Sequence, residues 1–493
     1  MASRPSLFVC MELVVSILTS TLWVLLALTI LVFVHELGHF LTAKYFDMRV
    51  ERFSIGFPPT LFGRTYGDTE YAVGATPLGG YVKISGMIDE SLDTDHVETD
   101  PEPWEFRGKP VWQRIIVISA GVLFNALLAI LIFGGISWSQ GETYLPAENV
   151  EQVYVEEGSV AYDIGLRTGD RIVKVNGRDF ERFEQVEPAS LVAADSLTIT
   201  VVREEERQTL VGPSDIISRL SRARNNEQGF GLDFQPPLIG GVVAGSPADS
   251  AGLQVGDQIY QIQGDTLRLW GKMSAMLQEA EGAPVAVQWF RPDSLVGASD
   301  RSRSPRVVRR GEGGVVYSDS IAARYNAEDD RYLLGIQSPG SPGASQVARQ
   351  MLYDQFGVRT STYGPLAALK AGAAETWNAA QTIVVTLKRI AEGRDSLTDS
   401  LGGPVMIADV TSEAAAAGLI PYWRLIAALS ITLAIMNILP IPALDGGQLL
   451  FLLYEAVTRR RPSVRVRLVA QQVGMILLIG FMTFLIFNDI LRL

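Results

Sequence analysis

The stretch Leu31-Val-Phe-Val-His35-Glu36-Leu-Gly-His39-Phe lies inside an apolar segment long enough to form a membrane-spanning helix. On a helix, residues four apart share one face, so His35 and His39 can point at one metal ion. Glu36 stands beside them and could activate a water molecule. The chain has 3 histidines, and two fall in this H-E-x-x-H pattern. The sequence therefore predicts a zinc site within a membrane helix.

A purely structural role for the two histidines, satisfied on a buried helix, is the alternative interpretation. Each ionisable group at membrane depth costs roughly 3 kcal/mol on insertion scales. Because a structural role rarely justifies that cost, the pattern favours a metal site.

Composition limits the class of protein. The 493 residues are 47% hydrophobic and 19% charged, which is too apolar for an ordinary soluble enzyme and too polar for a transporter. The net charge of −12 gives no basic excess, so nucleic-acid binding is not expected. With 1 cysteine, the chain can form no intrachain disulfide. A few spanning helices with a large soluble portion fit these values.

Four segments are apolar enough to span a membrane: residues 13–40, 115–138, 419–439 and 469–490. The loop between the third and fourth carries five arginines from Arg459 to Arg467. The positive-inside rule places this loop in the cytoplasm. Both termini and the long segment 139–421 are then expected outside, and the first and third helices run in the same direction.

The third segment ends in Asn437-Ile-Leu-Pro440-Ile-Pro442-Ala-Leu-Asp445-Gly-Gly. The prolines break the helix, and the glycines allow a tight turn. With helices one and three parallel, Asp445 reaches the depth of the histidines and can be a third ligand. Two histidines and one carboxylate, with a fourth position open to water, form a catalytic zinc pattern. The alternative is that Asp445 is a turn residue at a helix end.

These motifs resemble the site-2 zinc metalloproteases, most closely the bacterial RseP-like branch. H-E-L-G-H ends the first helix, and N-x-x-P-x-P-x-L-D-G-G ends a later one. Further similar stretches are Glu51-Arg-Phe-Ser-Ile-Gly-Phe and Pro77-Leu-Gly-Gly-Tyr-Val-Lys83, which look like the family's membrane-associated β-loop, Asn125 in the second helix, and Gly402-Gly-Pro-Val-Met-Ile-Ala408 ahead of the third. Gln448 departs from the pattern, since many relatives carry histidine there.

An internal repeat lies between the second and third helices. Gly158-Ser-Val-Ala161, Gly165-Leu166, Gly169-Asp170 and Gly177 recur 87 positions later as Gly245-Ser-Pro-Ala248, Gly252-Leu253, Gly256-Asp257 and Gly264. The duplicated module resembles tandem PDZ domains, which bind peptide termini by adding a strand to a sheet edge. The residues Gly229, Phe230, Gly231 and Leu232 are predicted as the carboxylate loop of the second copy, with no equivalent recognised in the first. Alternatively, both modules only obstruct or frame the membrane site.

The resemblance implies a multi-domain membrane protein with a polytopic α-helical membrane domain of four transmembrane helices, a membrane-associated β-loop and two extracytoplasmic PDZ-like α/β modules. The predicted regions are spanning helix 1 (13–46), the cytoplasmic β-loop region (47–109), spanning helix 2 (111–138), the two modules (145–225 and 228–335), an amphipathic region leading to the membrane (343–417), spanning helix 3 with the L-D-G motif (419–447) and spanning helix 4 (468–490).

The implied function is hydrolysis of peptide bonds in or near transmembrane segments of single-span proteins at the bacterial inner membrane. Anti-sigma factors, already cut outside by another protease in a stress response, are the type of substrate implied. One Zn²⁺ per chain would be bound by His35, His39 and Asp445, with Glu36 as the general base. Asn125 or Asn437 would hold the substrate backbone or polarise its carbonyl, while Gly79 and Gly80 would offer a sheet edge to the unwound substrate.

Two other functions compete with this interpretation. One is a membrane scaffold with a vestigial zinc motif, against which the intact His35, Glu36, His39 and Asp445 argue. The other is an anchored zinc protease that cuts soluble substrates outside the membrane. The inferred inner depth of both motifs argues against the second.

Overall fold

The computed structural model describes residues 7–87, 100–186, 197–216, 218–220, 230–296, 305–311, 313–327, 330–341, 344–400 and 402–492. The chain forms two compact units. The membrane unit comprises the chain up to Gly141, Thr362–Glu392 and the residues from Ser396 onward. The sheet unit comprises Glu142–Ser361 and Gly393–Asp395.

The α-helices of the described residues are, in chain order, α1 Leu7–Tyr45, α2 Val111–Gln140, α3 Val160–Ile164, α4 Pro247–Ser250, α5 Trp270–Glu279, α6 Gln346–Phe356, α7 Pro365–Ala391, α8 Leu397–Ser400, α9 Pro404–Ala417, α10 Leu419–Ile438, α11 Asp445–Thr458 and α12 Val464–Arg492. The strands are β1 Val50–Tyr66, β2 Thr69–Ile84, β3 Glu142–Tyr144, β4 Tyr154–Val155, β5 Arg171–Val175, β6 Thr198–Arg203, β7 Glu206–Val211, β8 Leu232–Asp233, β9 Gly241–Val242, β10 Gln258–Ile262, β11 Asp265–Thr266, β12 Pro284–Pro292, β13 Arg306–Gly311, β14 Gly314–Ala322, β15 Arg324–Asn326, β16 Arg331–Leu333, β17 Ile336–Gln337 and β18 Arg359–Ser361.

Four helices of the described residues are long and apolar enough to cross a membrane, as the sequence predicts. They are Leu18–Tyr45 within α1, Val111–Gln140, Leu419–Ile438 and Val464–Leu491. The third matches the predicted apolar segment 419–439 to within one residue, but it does not fill the region 419–447 that was assigned to it together with the L-D-G motif. It ends at Ile438, because Pro440 and Pro442 cannot continue the helix, and α11 then begins at Asp445.

Close backbone contacts hold the membrane helices together. A Cβ on Gly38 of α1 would lie 2.5 Å from the carbonyl oxygen of Ala120 on α2. A Cβ on Gly372 of α7 would lie 2.5 Å from the carbonyl oxygen of Ile130, also on α2. Since real Cβ atoms do not approach so closely, α2 packs tightly against α1 and α7 only because glycine stands at both positions.

The region 343–417 was predicted to be one amphipathic region leading to the membrane. This is corrected by the structure, in which the region is divided between the two units. Its first part, α6 and β18, belongs to the sheet unit, where Phe356 packs against the core of the first module and β18 pairs with β3. Its second part, α7, packs Ala379 and Ile383 against apolar residues of α2 and α10. Burial against two spanning helices makes α7 part of the helix bundle, whereas sequence periodicity showed only its polar and apolar faces.

The carboxylate of Asp489, near the end of α12, is buried at the start of α9. It accepts hydrogen bonds from the backbone N–H groups of Gly403 at 2.9 Å and of Val405 and Met406 at 3.1 Å. The first N–H groups of a helix have no partner within the helix. This carboxylate satisfies three of them and fastens α9 to the fourth spanning helix.

The long hairpin of β1 and β2 follows α1. Ile55 of β1 pairs both with Gly80 and with Val73 of β2. Within the part of the chain that the structure describes, residues 80–84 pair only with residues 50–55, so they form an outer edge. A Cβ at Gly80 would lie 2.6 Å from the carbonyl oxygen of Ser54, so the glycine permits this strand to approach closely.

The sheet unit contains two modules with separate cores, one built around β5, β6 and β7 and the other around β10, β12 and β14. The same ion pair between an arginine and a buried aspartate occurs in each. Arg203 donates two hydrogen bonds to Asp170, at 2.7 and 2.8 Å, and Arg291 donates two to Asp257, both at 2.7 Å. Both aspartates have 0% exposed surface, and they are related by the 87-residue offset.

The loop at Phe230, Gly231 and Leu232 was predicted for the second module, and this is wrong. Strand β8, which begins at Leu232, pairs with β4 of the first module. The carbonyl oxygen of Phe230 accepts a hydrogen bond from the Ala161 N–H at 3.0 Å. The first module thus extends to β8, beyond the predicted limit of 225, because its last strand returns to its first. Gly229 lies outside the described residues.

The second module has a matching loop that the sequence did not reveal. The carbonyl oxygen of Leu334 accepts from the Ala248 N–H at 2.9 Å, and β17 pairs with β9. Gly335 has a φ of +79° and Gly231 a φ of +74°, a conformation that L side chains rarely adopt. The second module therefore continues past its predicted end at residue 335 and includes β17.

Candidate metal centre

The helix α1 brings the two histidines together as the spacing predicts. Their Nε2 atoms lie 3.2 Å apart, and both side chains are buried. Oδ2 of Asp445 lies 3.0 Å from His35 Nε2 and 3.4 Å from His39 Nε2. In a tetrahedral zinc site with bonds of about 2.0–2.1 Å, the ligand atoms lie about 3.3 Å apart. The three distances fit that geometry.

Oδ2 of Asp445 also has the environment of a ligand atom. It is buried, yet no hydrogen bond with a described residue satisfies it. A buried carboxylate oxygen without a hydrogen bond is costly unless a cation compensates it. A metal ion between the three ligand atoms removes this cost.

The start of α11 positions Asp445 against the turn that follows α10. A Cβ on Gly446 would lie 2.2 Å from the carbonyl oxygen of Leu439, and one on Gly447 would lie 2.3 Å from that of Ile441. The two glycines were expected to allow a tight turn. Instead, they lie in the first turn of a helix and let that turn approach the preceding backbone closely. This close approach brings Asp445 to the histidines.

The second nitrogen of each histidine has a fixed neighbour. His39 Nδ1 lies 2.8 Å from the carbonyl oxygen of Val117 on α2. A carbonyl can only accept, so Nδ1 carries the proton and Nε2 keeps a free electron pair for a metal. This contact orients the His39 ring.

Asn125 performs the corresponding role for His35. Its amide lies 3.3 Å from His35 Nδ1, and its Oδ1 is buried without a hydrogen-bond partner among the described residues. With the amide turned by 180°, Oδ1 accepts the Nδ1 proton and leaves Nε2 for a metal. Asn125 has 0% exposed surface. Its position behind the imidazole therefore favours an orienting role over the substrate contact expected from the sequence.

Gly121 is a site residue that the sequence reasoning missed. A Cβ there would lie 2.5 Å from His39 Nε2 and 2.6 Å from His35 Cε1. Only glycine leaves this space beside the ligand atoms. The sequence did contain a signal for this role. Gly121 lies four residues before Asn125, and that spacing places both residues on the same face of α2.

A cavity of about 230 Å³ borders the site. Asp445 and Asn437 contribute polar groups, and Ile118, Val122 and Leu449 line it with apolar surface. The Asn437 amide lies 3.3 Å from His35 Nε2, on the side of the ligand atoms. A largely apolar cavity with a few convergent polar groups is typical of a substrate site.

Glu36 follows His35 on α1 and is partly buried. Its carboxylate lies near enough to the His39 ring to interact with it electrostatically. The arrangement thus brings together three metal-ligand atoms, one further carboxylate and one amide, a set able to hydrolyse a carbonyl compound.

Gly79 and Gly80 do not reach the ligand atoms but lie on the hairpin beside α1. A Cβ at Gly80 would lie 3.6 Å from Val32 Cγ1, one helical turn before His35. A Cβ at Gly79 would lie 2.7 Å from the ring of Phe57. Both glycines therefore serve close packing of the hairpin, near the helix that carries the histidines.

Comparisons with known proteins agree with this geometry. Residues 23–481 match the model of peptidase family M50. The chain is 31% identical over 494 residues to a Vibrio cholerae protein described as "Putative zinc metalloprotease", with 97% of this chain and 100% of that protein covered. It is 29% identical over 488 residues to the regulator of sigma-E protease RseP of Salmonella typhimurium, with 97% and 100% covered. For the Escherichia coli protein of that name the identity is 29% over 478 residues, with 95% and 98% covered.

The family model spans both halves of the metal centre, from the helix that carries the histidines to the one that begins at Asp445. The relatives cover nearly the whole chain as well. The chain therefore belongs to peptidase family M50, the site-2 proteases, within their RseP-like branch, and it is a zinc metalloprotease.

Proposed function

We propose that this chain hydrolyses peptide bonds inside or next to the transmembrane segments of single-span membrane proteins. One observation carries the proposal. The ligand atoms of His35, His39 and Asp445 lie within 4.8 Å of one another, and both histidines stand on a helix that can span a membrane. A metal held there acts at membrane depth, where a spanning substrate would be bound.

When bound, zinc would supply a Lewis acid able to polarise the scissile carbonyl and to lower the pKa of a water molecule. His35, His39 and Asp445 would hold it. Glu36 accepts a proton from the attacking water and passes it to the leaving amine. Asn437, beside the cavity, holds the substrate backbone, while Asn125 and the Val117 carbonyl keep the imidazoles oriented.

A transmembrane helix has all its backbone groups paired, so it must unwind before attack. Among the described residues, the strand segment 80–84 pairs with β1 and forms the outer edge of the hairpin, and it lies beside α1. An extended substrate segment adds to this edge as a further strand. This role rests on the edge pairing and on the closeness of Gly80 to Val32.

We infer that the two modules of the sheet unit are a duplicated pair of PDZ domains on the periplasmic side of the bacterial inner membrane. Matching ion pairs and matching loops at Gly231 and Gly335 support the duplication. The arginine-rich stretch from Arg459 to Arg467 supports a cytoplasmic loop, with both termini and the modules on the other side. The pair acts as a size filter or as a docking site for a newly cut terminus.

The names of the relatives bear on the pathway. Two of them carry the name "Regulator of sigma-E protease RseP". We propose a corresponding role for this chain, in which it cuts an anti-sigma factor after a first cut outside the membrane. The physiological signal would then be loss of the substrate's external domain.

The experiment uses the full chain in detergent with a single-span test substrate. We compare wild type with Glu36→Gln and with Glu413→Gln, a matched change at an exposed position on α9. We expect Glu36→Gln to lower the cleavage rate by about 10²- to 10⁴-fold, the usual contribution of a general base, and Glu413→Gln to leave it unchanged.

Equal cleavage by wild type and Glu36→Gln would overturn the mechanism. Cuts confined to the soluble part of the substrate would support the anchored protease instead. A zinc-loaded wild-type protein that cleaves nothing would favour the scaffold.

A further inference from the structure

A second cavity lies in the membrane unit, and none of the candidate metal ligands lines it. Its volume is about 340 Å³. The hairpin, the start of α2, α11 and the start of α12 surround it. Arg114 and Arg467 each lie in the first turn of a spanning helix, so the cavity lies where both helices begin, at one surface of the membrane.

Among the described residues, the walls of this cavity carry more positive than negative charge. Its cations are Lys83, Arg107, Arg114, Arg461 and Arg467. The carboxylates among its described lining residues are Glu51 and Glu455. Even when the Glu105 partner of Arg107 is included, five cations meet three carboxylates.

Some of the cationic groups are already compensated. The Lys83 ammonium lies 3.4 Å from Glu51. Arg114 and Arg461 both contact Glu455, at 2.7 and 3.0 Å. These ion pairs hold the cavity walls in place. The excess positive charge therefore lies on other cationic groups.

The excess is on Arg467 and on part of Arg114. No hydrogen bond or ion pair joins the Arg467 guanidinium to another residue within the described ranges, and its charged neighbours are Arg114, Arg461 and Glu455. Nε of Arg114 is buried and has no hydrogen-bond partner among the residues that the structure describes. Buried N–H donors without acceptors are costly, so an anionic acceptor would stabilise this cavity.

Most of the remaining wall is apolar, and Gln448 and Ser463 are its polar side chains. Its apolar side chains come from the hairpin, from the stretch between the hairpin and α2, and from α11 and α12: Ile84, Met87, Phe106, Phe451, Leu452 and Val464. A free inorganic anion gains nothing from such a wall. A molecule with an anionic head and an apolar body matches both parts.

We propose that this cavity binds the phosphodiester head of an anionic phospholipid, with Arg467 as the main contact. Guanidinium groups bind phosphate oxygens through paired hydrogen bonds. The apolar side chains contact the glycerol backbone and the start of the acyl chains. The inference does not depend on the proposed proteolysis, because lipid binding is measured without a substrate.

The test uses the full chain, delipidated in detergent, and native mass spectrometry. Short-chain phosphatidylglycerol, short-chain phosphatidylcholine and inorganic phosphate are the three probes. We expect phosphatidylglycerol to bind at least about tenfold more tightly than phosphatidylcholine, since only the former carries net charge. Arg467→Gln should weaken phosphatidylglycerol binding at least about fivefold. Arg465→Gln, exposed two positions earlier on α12, should leave it unchanged.

Several results would overturn the proposal. They are equal binding of both lipids, equal loss in the two variants, and complete displacement of phosphatidylglycerol by an equimolar amount of inorganic phosphate. Zinc content reports whether Arg467→Gln is folded. If it is not, Arg461→Gln, whose side chain is 54% exposed, replaces it and should weaken phosphatidylglycerol binding relative to Arg465→Gln. Unchanged binding would contradict the site.

Discussion

Two carboxylates of the short helix α11 have opposite surroundings. Asp445 opens the helix, and Glu455 follows ten residues later, about 15 Å along the axis. Asp445 meets two imidazoles, at 3.0 and 3.4 Å. Glu455 meets the guanidinium of Arg114 through two hydrogen bonds, at 2.7 and 3.1 Å, and that of Arg461 at 3.0 Å.

The difference shows how each negative charge is compensated. An imidazole that binds a metal is neutral, so His35 and His39 give Asp445 no positive charge. A divalent ion must supply it. Glu455 already has two permanent cations, so it needs no metal. One end of α11 is therefore built for chemistry and the other for stability.

The largest effect is expected from the space beside the ligand atoms. Gly121→Ala places a methyl group 2.5 Å from His39 Nε2, so zinc affinity should fall at least about a hundredfold and cleavage with it. Gly135→Ala is the matched control, since a Cβ at that position of α2 meets nothing within 4 Å. Zinc titration of both variants measures the effect. Full zinc affinity in Gly121→Ala would mean that the ion is held elsewhere.

Glu455→Gln should change stability and not zinc content. Loss of one partner leaves the buried Arg114 without its counter-charge, which costs about 3 kcal/mol. Equilibrium unfolding in mixed detergents, with Glu413→Gln as the exposed control, measures this cost. A variant as stable as the control would show that the arginine contacts do not stabilise the fold.

The Glu455 effect should depend on pH. Burial alone would raise the pKa of the Glu455 carboxyl, but the hydrogen bonds and charge of Arg114 and Arg461 lower it below the usual value. A carboxyl whose pKa is lower in the folded than in the unfolded state stabilises the fold at pH values above its unfolded pKa of about 4.3. This contribution to the free energy of unfolding is lost as the pH falls. The stability difference between wild type and Glu455→Gln should therefore shrink as the pH falls below about 4.

A smaller effect is expected from the residue behind His35. Asn125→Ala removes the acceptor for Nδ1 and should weaken zinc binding by about 10- to 100-fold. Asn437→Ala should keep its zinc and lower the cleavage rate, because that amide faces the cavity. Equal zinc affinities for wild type and Asn125→Ala would remove the proposed orienting role.

The local parts of the metal centre were predictable from the sequence. His35 and His39 share a face because a four-residue spacing on a helix is a local rule. Asp445 could be added because charge in the short loops indicates which helices run in the same direction. The contact between Arg114 and Glu455 joins residues 341 positions apart, and no local pattern indicates such a pair.

The errors have the same origin. Phe230 follows the first module in sequence and precedes the second, so its assignment depended on which strand β8 would join. That pairing is a property of the tertiary fold. The two glycines after Asp445 were expected to allow a tight turn, because glycines are typical of turns. The close backbone contact that requires both glycines is visible only in three dimensions.

The zinc content of three purified proteins tests the two ends of α11 together. They are wild type, Asp445→Asn and Glu455→Gln, each measured by elemental analysis after removal of loosely bound metal. We expect about one zinc per chain in wild type and Glu455→Gln and almost none in Asp445→Asn, since a lost ligand lowers the affinity of the whole site. Full zinc occupancy in Asp445→Asn would contradict the three-ligand centre.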